Sequence, residues 1–241
     1  MKRIIALIAV VLLVFGIAGT NAVAADVTTT VDFVSAYVWR GITFNDGFVV
    51  QPSVDVSHNG FGFNVWGNFD VSDNRGTLPQ NSFSEVDLTL SYTYEYKILS
   101  ASVGVIEYLF PGALTPTPNT HEAFVSLDVD VVKGLSVGVA YYYDYGKTDG
   151  SYATVGASYG YDLTEALNVS LAAYAAYASQ NVSAGAEGGM HDYNVSLSGS
   201  YAVTKAISMG AFIAYTGSFD TNVLPEQNVD FYGGFNVSYA F

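Results

Sequence analysis

The sequence predicts an all-β fold, a transmembrane up-and-down antiparallel β-barrel of about twelve strands behind an N-terminal signal peptide. Three observations lead there. Apolar and polar residues alternate with period two along most of the chain; half of it is hydrophobic while only 12% is charged; and no window beyond the leader holds 18 consecutive apolar residues. Alternation places successive side chains on opposite faces of a strand, and the missing long apolar run removes membrane-spanning helices.

The first element is the leader. Lys2 and Arg3 precede an apolar run over residues 4–18, and Ala22-Val23-Ala24 offers small residues for cleavage. Basic, apolar and small-residue regions in that order read as a secretory signal peptide. Gly19, Thr20 and Asn21 interrupt the run before the ~20 apolar residues that a membrane span needs. Residues 1–25 are assigned to the leader and 26–241 to one barrel domain.

Twelve alternating stretches follow, near residues 29–40, 48–58, 61–71, 84–96, 100–109, 121–131, 135–145, 151–162, 166–178, 192–202, 206–217 and 228–241. In the last, Phe241, Tyr239, Val237, Phe235 and Phe231 share one parity, while Ser238, Asn236, Gly234, Tyr232 and Asp230 share the other. In the seventh, Leu135, Val137, Val139, Tyr141 and Tyr143 oppose Ser136, Gly138, Ala140, Tyr142 and Asp144. Around Ile106-Glu107-Tyr108 the parity slips, which predicts a bulge.

Connections alternate between short and long. Asn59-Gly60 is a strong two-residue hairpin signal, and similarly short turns are expected at 97–98, 132–134, 163–165 and 203–205. The long connections cover 41–47, 72–83, 110–120, 146–150, 179–191 and 218–227. Pro111, Pro116, Pro118 and Pro225 sit in them, where no ladder hydrogen bond is lost. Asn45-Asp46-Gly47 and Thr148-Asp149-Gly150 read as turns. An even strand number puts both termini at the short-turn end.

A soluble sandwich would bury the apolar face and expose a charged one. Here the second face is mostly Ser, Asn, Gly, Ala, Thr and Tyr, too lightly charged for a solvated exterior. The inverted arrangement, apolar face to lipid and polar face to an interior, fits better. The bilayer then demands closure, because an open sheet edge would leave backbone groups unpaired in hydrocarbon. Tyr92/Tyr94/Tyr96, Tyr141/Tyr143/Tyr145 and Tyr239/Phe241 cluster at strand ends, as interfacial anchors do.

Composition excludes several classes of function. Without cysteine there is no disulfide framework, thiolate metal site or thiol nucleophile. A net charge of −14, made more negative when the leader takes away Lys2 and Arg3, argues against a nucleic-acid partner.

The segment Ser35-Ala36-Tyr37-Val38-Trp39-Arg40-Gly41-Ile42, followed by Gln51-Pro52, Phe61-Gly62-Phe63 and Trp66-Gly67-Asn68, resembles the TorF-type porins, a bacterial family of unknown function. After Trp66 this chain has Asn68-Phe69-Asp70, where the family pattern has Ser-Asn. The resemblance implies an outer-membrane barrel and transfers no substrate or catalytic residue. The C-terminal aromatic strand ending in Phe241 looks like the signal read by the outer-membrane assembly machinery.

By parity, Asp32, Asp55, Asp70, Glu85, Asp87, Glu95, Glu122, Asp128, Asp130, Asp144 and Asp230 fall on the polar face, with Arg40 the basic residue among them. Together they are the expected lumen lining. Eleven carboxylates against one guanidinium would make the interior field negative and cation-favouring. Arg40 should pair with nearby acids, since an unpaired guanidinium in a narrow lumen is costly. The tyrosines of the three strand-end clusters are expected to anchor the surface rather than to hold a ligand. Strands eight to eleven offer small neutral residues such as Thr154, Ser158, Ser170 and Ser196, and a water-filled gap is expected along that wall.

His58, His121 and His191 are too scattered for a helical metal motif. No catalytic residue, metal ligand set or cofactor is assigned. The sequence thus leads to an expectation of an outer-membrane, porin-like channel passing small solutes by diffusion, its partners the lipid bilayer and the assembly machinery. Two alternatives stand beside it: a non-conducting structural or adhesive barrel acting through its loops, and a barrel hydrolase using His121-Glu122 or His191-Asp192 at the outer rim.

Overall fold

A computed structural model describes residues 25–112 and 118–241; residues 1–24 of the predicted leader and Pro116 lie outside the described residues. The strands are β1 (Asp26–Val34), β2 (Tyr37–Trp39), β3 (Ile42–Asn45), β4 (Val49–His58), β5 (Phe61–Asp70), β6 (Ser82–Tyr96) and β7 (Leu99–Leu109). They continue with β8 (Thr120–Val132), β9 (Leu135–Asp144), β10 (Gly150–Asp162), β11 (Leu167–Ala178), β12 (Gly189–Ala202), β13 (Ile207–Ser218) and β14 (Phe231–Ala240). β1 and β4–β14 form a closed twelve-stranded barrel, and β2–β3 form a separate two-stranded hairpin. Among the described residues no helix is long and apolar enough to cross a membrane.

Closure joins β1 antiparallel to both β4 and β14. Thr30 faces Ser238 across the seam, their hydroxyls 2.8 Å apart. At the short-turn end, Asn59 and Gly60 take φ of 49° and 85°. Two consecutive left-handed residues are what a twist-matched two-residue hairpin requires, and Asn-Gly supplies them at least cost. Thr164 and Thr204 each accept two backbone amides, from Ala166 and Leu167 and from Ala206 and Ile207, so two other turns close alike. Both described chain ends lie here: the Phe241 amide donates to the Val27 carbonyl at 3.0 Å.

The apolar parity points outward. Leu90, Val105, Leu127, Val139, Val155, Leu197 and Ile213 are all exposed on the barrel wall. Exposed aromatics ring both ends, Tyr92, Tyr94, Tyr159, Tyr201 and Phe61 at the short-turn end and Tyr141, Tyr143, Tyr177, Tyr215 and Phe231 at the long-loop end. An apolar band between two aromatic girdles is the exterior of a membrane barrel.

Three strand expectations are corrected. The first stretch does not run to residue 40: β1 stops at Val34, and residues 35–48 turn inward and form the hairpin. The slip at Ile106-Glu107-Tyr108 is not a bulge, for β7 pairs in unbroken register there with β6 and β8. Instead Glu107 stands on the outer face beside its cross-strand neighbour His121, to whose Nδ1 its carboxylate is hydrogen-bonded. The last strand begins at Phe231, so Asp230 belongs to the preceding loop. Register shifts occur elsewhere, at Asn68/Phe69, Asp130/Val132 and Ala175/Tyr177.

Candidate functional site

The inward hairpin fixes the interior. Trp39 pairs with Ile42, leaving Arg40 and Gly41 as a two-residue turn with φ of 50° and 72°. Twist-matched tight turns need positive φ at both positions, and glycine at the second also has a packing reason. A Cβ on Gly41 would lie 2.6 Å from Asp192 Cβ and 2.8 Å from Leu224 Cδ2. The tip therefore seats closely against β12 and the last long loop.

From that tip Arg40 reaches the opposite wall. Its Nη1 donates to Glu122 Oε1 at 2.8 Å and its Nη2 to Oε2 at 2.7 Å, the parallel two-bond fork that guanidinium and carboxylate favour. Tyr108 donates its hydroxyl to Glu122 Oε2 at 2.9 Å. The guanidinium carbon lies 4.2 Å from the Trp39 ring centre, 4.2 Å from Tyr152 and 4.8 Å from Tyr142, within cation–π range of all three. Glu122, Tyr142 and Tyr152 stand on β8, β9 and β10, so the hairpin spans the lumen.

Further bonds pin the hairpin to the near wall. Tyr37 donates to Glu85 Oε2 at 2.8 Å and stacks on Phe44. Asn45 Nδ2 donates to Asp70 Oδ1 at 2.6 Å, and Asn68 Nδ2 to the same oxygen at 2.9 Å. Val34, Tyr37 and Val49 make a small apolar core inside the barrel, with Trp39, Trp66, Phe212 and Tyr232 packed on it. Behind the tip, Tyr152 and Tyr174 donate to the two oxygens of Asp192 at 2.9 and 3.0 Å, and His191 Nδ1 lies 2.8 Å from Oδ1.

Three cavities follow one another along the interior. The outermost, about 360 Å³, opens among the long loops and is bounded by Trp39, Arg40, Tyr108, Glu122 and Lys147. The next, about 400 Å³, shares Trp39, Arg40 and Tyr108 with it and adds Asp87, Tyr142 and Thr154. The third, about 380 Å³, shares Tyr142, Thr154 and Tyr174 with the second and is otherwise lined by Ser126, Asp128, Ser136, Gly156 and Ser158. Trp39, Arg40 and Tyr108, common to the first two cavities, thus form the septum between an outer vestibule and an inner lumen, with Glu122 holding Arg40 in place from the vestibule side.

The expected lining residues divide by depth. Asp70, Glu85, Glu122 and Asp144 are buried around the hairpin and its rim; Asp144 accepts from Thr120 and from the Gly146 amide. Asp87 faces the middle cavity, with one carboxylate oxygen buried and unpartnered. Asp55, Glu95, Asp128 and Asp130 are exposed toward the short-turn end, where Asn64 donates to Asp55 and Ser136 to Asp130. Asp32, in β1, accepts from Asn236 at 3.0 Å. Two positions are corrected. Arg40 is on no barrel strand but at the hairpin tip, and Asp230 borders a loop cavity with Tyr215 and Glu226.

Sequence reasoning missed the aromatic part of the site. It assigned a role only to the strand-end tyrosines, as surface anchors, and those are exposed; Tyr37, Tyr108 and Tyr152, to which it gave no role, are buried inside. For the tyrosines on barrel strands the signal was parity: Tyr142 shares the polar face with Asp144, Tyr152 with Thr154 and Tyr232 with Asp230; Tyr37, on the hairpin, carried no such signal. The histidine–acid neighbours point apart or inward. His121 bonds Glu107 outside while Glu122 holds Arg40 inside, and His191 is 1% exposed beneath the tip.

Residues 18–217 match a family described as "Bacterial protein of unknown function (Gcw_chp)". No curated protein matches the chain. Among solved structures, KdgM porin in complex with disordered oligogalacturonate is similar, with a TM-score of 0.56 at 14% identity over 90% of this chain and 99% of that one. NanC porin gives 0.53 at 13% over 90% and 98%. The COG4313 outer membrane channel from Pseudomonas putida F1 gives 0.55 at 10% over 92% and 97%. At these identities the likeness is one of fold.

Proposed function

We propose that this chain, which belongs to the Gcw_chp family of bacterial proteins, is a TorF-type outer-membrane porin that lets small solutes diffuse across the membrane through a narrow lumen. The single observation that carries the reading is the series of three cavities inside a barrel whose outer wall is apolar. Nothing in this mechanism calls for a catalyst or cofactor. Passage is governed by the width beside the hairpin and by the interior field.

That field comes from the lumen acids, Asp32, Asp55, Asp70, Glu85, Asp87, Glu95, Glu122, Asp128, Asp130 and Asp144, with Asp230 at the loop mouth. Arg40 neutralises one of them, Glu122. Low-dielectric walls focus such a field and raise the local concentration of cations. KdgM is described in complex with oligogalacturonate, a polyanion; an interior this acidic favours cationic and neutral solutes instead. Export with a cleaved leader, residence in the outer membrane and assembly through the strand ending in Phe241 complete the reading.

Planar-bilayer recording of refolded protein tests it. Discrete conductance steps are expected, and a barrel that inserts without any would favour the rival, a closed structural barrel acting through its long loops.

A further inference from the structure

We propose that the box around Arg40 is a binding site for small guanidinium-bearing solutes, and that Arg40 occupies it as a tethered competitor. The inference rests on the channel reading for its biological sense but not for its chemistry.

The box has the composition that recognises a planar cation. Glu122 presents both oxygens to two guanidinium nitrogens, and the Tyr108 hydroxyl holds that carboxylate from behind. Ring faces of Trp39, Tyr142 and Tyr152 enclose the cation. A guanidinium satisfies both features at once, the fork and the π faces. A quaternary ammonium offers no N–H to the carboxylate and would use the rings alone.

The site is built into the barrel rather than into the hairpin. Tyr108, Glu122, Tyr142 and Tyr152 stand on four consecutive strands, β7 to β10, so the carboxylate and three rings keep their places wherever the tip goes. Only Trp39 and Arg40 travel with the hairpin. Arg40 borders the outer and the middle cavity alike, so a soluble cation has a route to the box from the vestibule. Glu122 without a cation would be a buried, uncompensated charge among aromatic rings, a strong incentive to capture one.

Tethering sets the concentration scale. A ligand on a short linker acts at an effective concentration of ~mM or above, so a free guanidinium competing against Arg40 needs a correspondingly higher concentration than one entering an empty box. A solute that wins displaces the tip and removes the septum between vestibule and lumen.

The experiment uses Trp39 as reporter in full-length barrel carrying Trp66→Phe, which leaves one indole in the chain. Its fluorescence is titrated with methylguanidinium chloride, against tetramethylammonium chloride and potassium chloride at matched ionic strength. With Arg40→Ala added, a saturable response to methylguanidinium is expected at a concentration at least tenfold below that needed with Arg40 intact. It should be at least tenfold below that for tetramethylammonium and lost on further change of Glu122→Gln. No saturable response, or equal responses to all three salts, would overturn the proposal. If Arg40→Ala does not fold, Arg40→Lys keeps the charge but loses the fork, and methylguanidinium must then act at lower concentration than with Arg40; an unchanged titration would overturn the proposal equally. Binding is read without current. A barrel that binds but does not conduct defeats only the channel reading, and one that conducts but does not bind defeats only this one.

Discussion

Both terminal nitrogens of Arg40 meet both carboxylate oxygens of Glu122, at 2.8 and 2.7 Å, across 82 residues of sequence and the width of the lumen. Both side chains are almost wholly buried, 8% and 4% exposed. Buried ion pairs contribute little net stability but leave a costly orphan when one partner is removed.

Arg40→Ala is therefore expected to lower stability by ~3–5 kcal/mol, the cost of an uncompensated buried charge, and to raise single-channel conductance by removing the bar between two cavities. Replacing Glu122 with Gln as well should recover part of the lost stability while leaving conductance high. Urea unfolding of the refolded barrel and bilayer recording read the two effects. An Arg40→Ala channel with wild-type conductance would mean that the septum is not on the path.

Gly41→Ala places a methyl group against Asp192 and Leu224 at a backbone φ of 72°. A strained position of this kind costs ~1–3 kcal/mol. The expected result is a hairpin that leaves its seat while the barrel stays closed: faster protease cleavage within residues 35–48 and a noisier open channel, with unfolding of the wall unchanged.

The fold was largely legible because period-two alternation survives along most of the barrel strands, and Asn59-Gly60 announces its own turn. The hairpin was not, since an inward hairpin has the same local period as a strand. Val31, Phe33, Tyr37 and Trp39 share one parity and read as a single lipid-facing run to residue 40. Only Gly41 after a left-handed Arg40 distinguishes a turn there, and only the closed barrel brings Arg40 to Glu122. Glu107 misled for a related reason: an outward acid breaks the pattern like a bulge until its partner His121 is seen across the strand pair. Parity alone groups the strand acids on one face, but their split into a buried set near the hairpin and an exposed set below it depends on where the hairpin lands.

Opposite faces of β10 should respond oppositely to the same charge. Val155 is 53% exposed on the outer wall, and Val155→Arg near the bilayer midplane is expected to cost ~2–4 kcal/mol. Ser158 lines the inner cavity, so Ser158→Arg should leave stability in lipid nearly unchanged and weaken cation preference. Urea unfolding in vesicles and ion-selectivity recording compare them.

The long loop between β5 and β6 should loosen in acid. Asp73 is pushed upward by burial, yet the amides of Leu78, Arg75 and Thr77 outweigh this and hold its carboxyl below the ordinary 3.8. A depressed folded-state value gives stability that is complete above about pH 4 and fades as pH falls through the lowered value. Protection of the Arg75 and Leu78 amides, measured relative to intrinsic exchange at each pH, should be full above that pH and fall as pH drops through the lowered value, and Asp73→Asn should leave both poorly protected throughout.

The sign of the interior field is read most directly as the zero-current potential of the inserted channel across a potassium chloride gradient. An acidic, water-filled lumen predicts a potential of cation-selective sign that grows more so in Arg40→Ala. A potential of anionic sign, or one indifferent to the loss of Arg40, would contradict it.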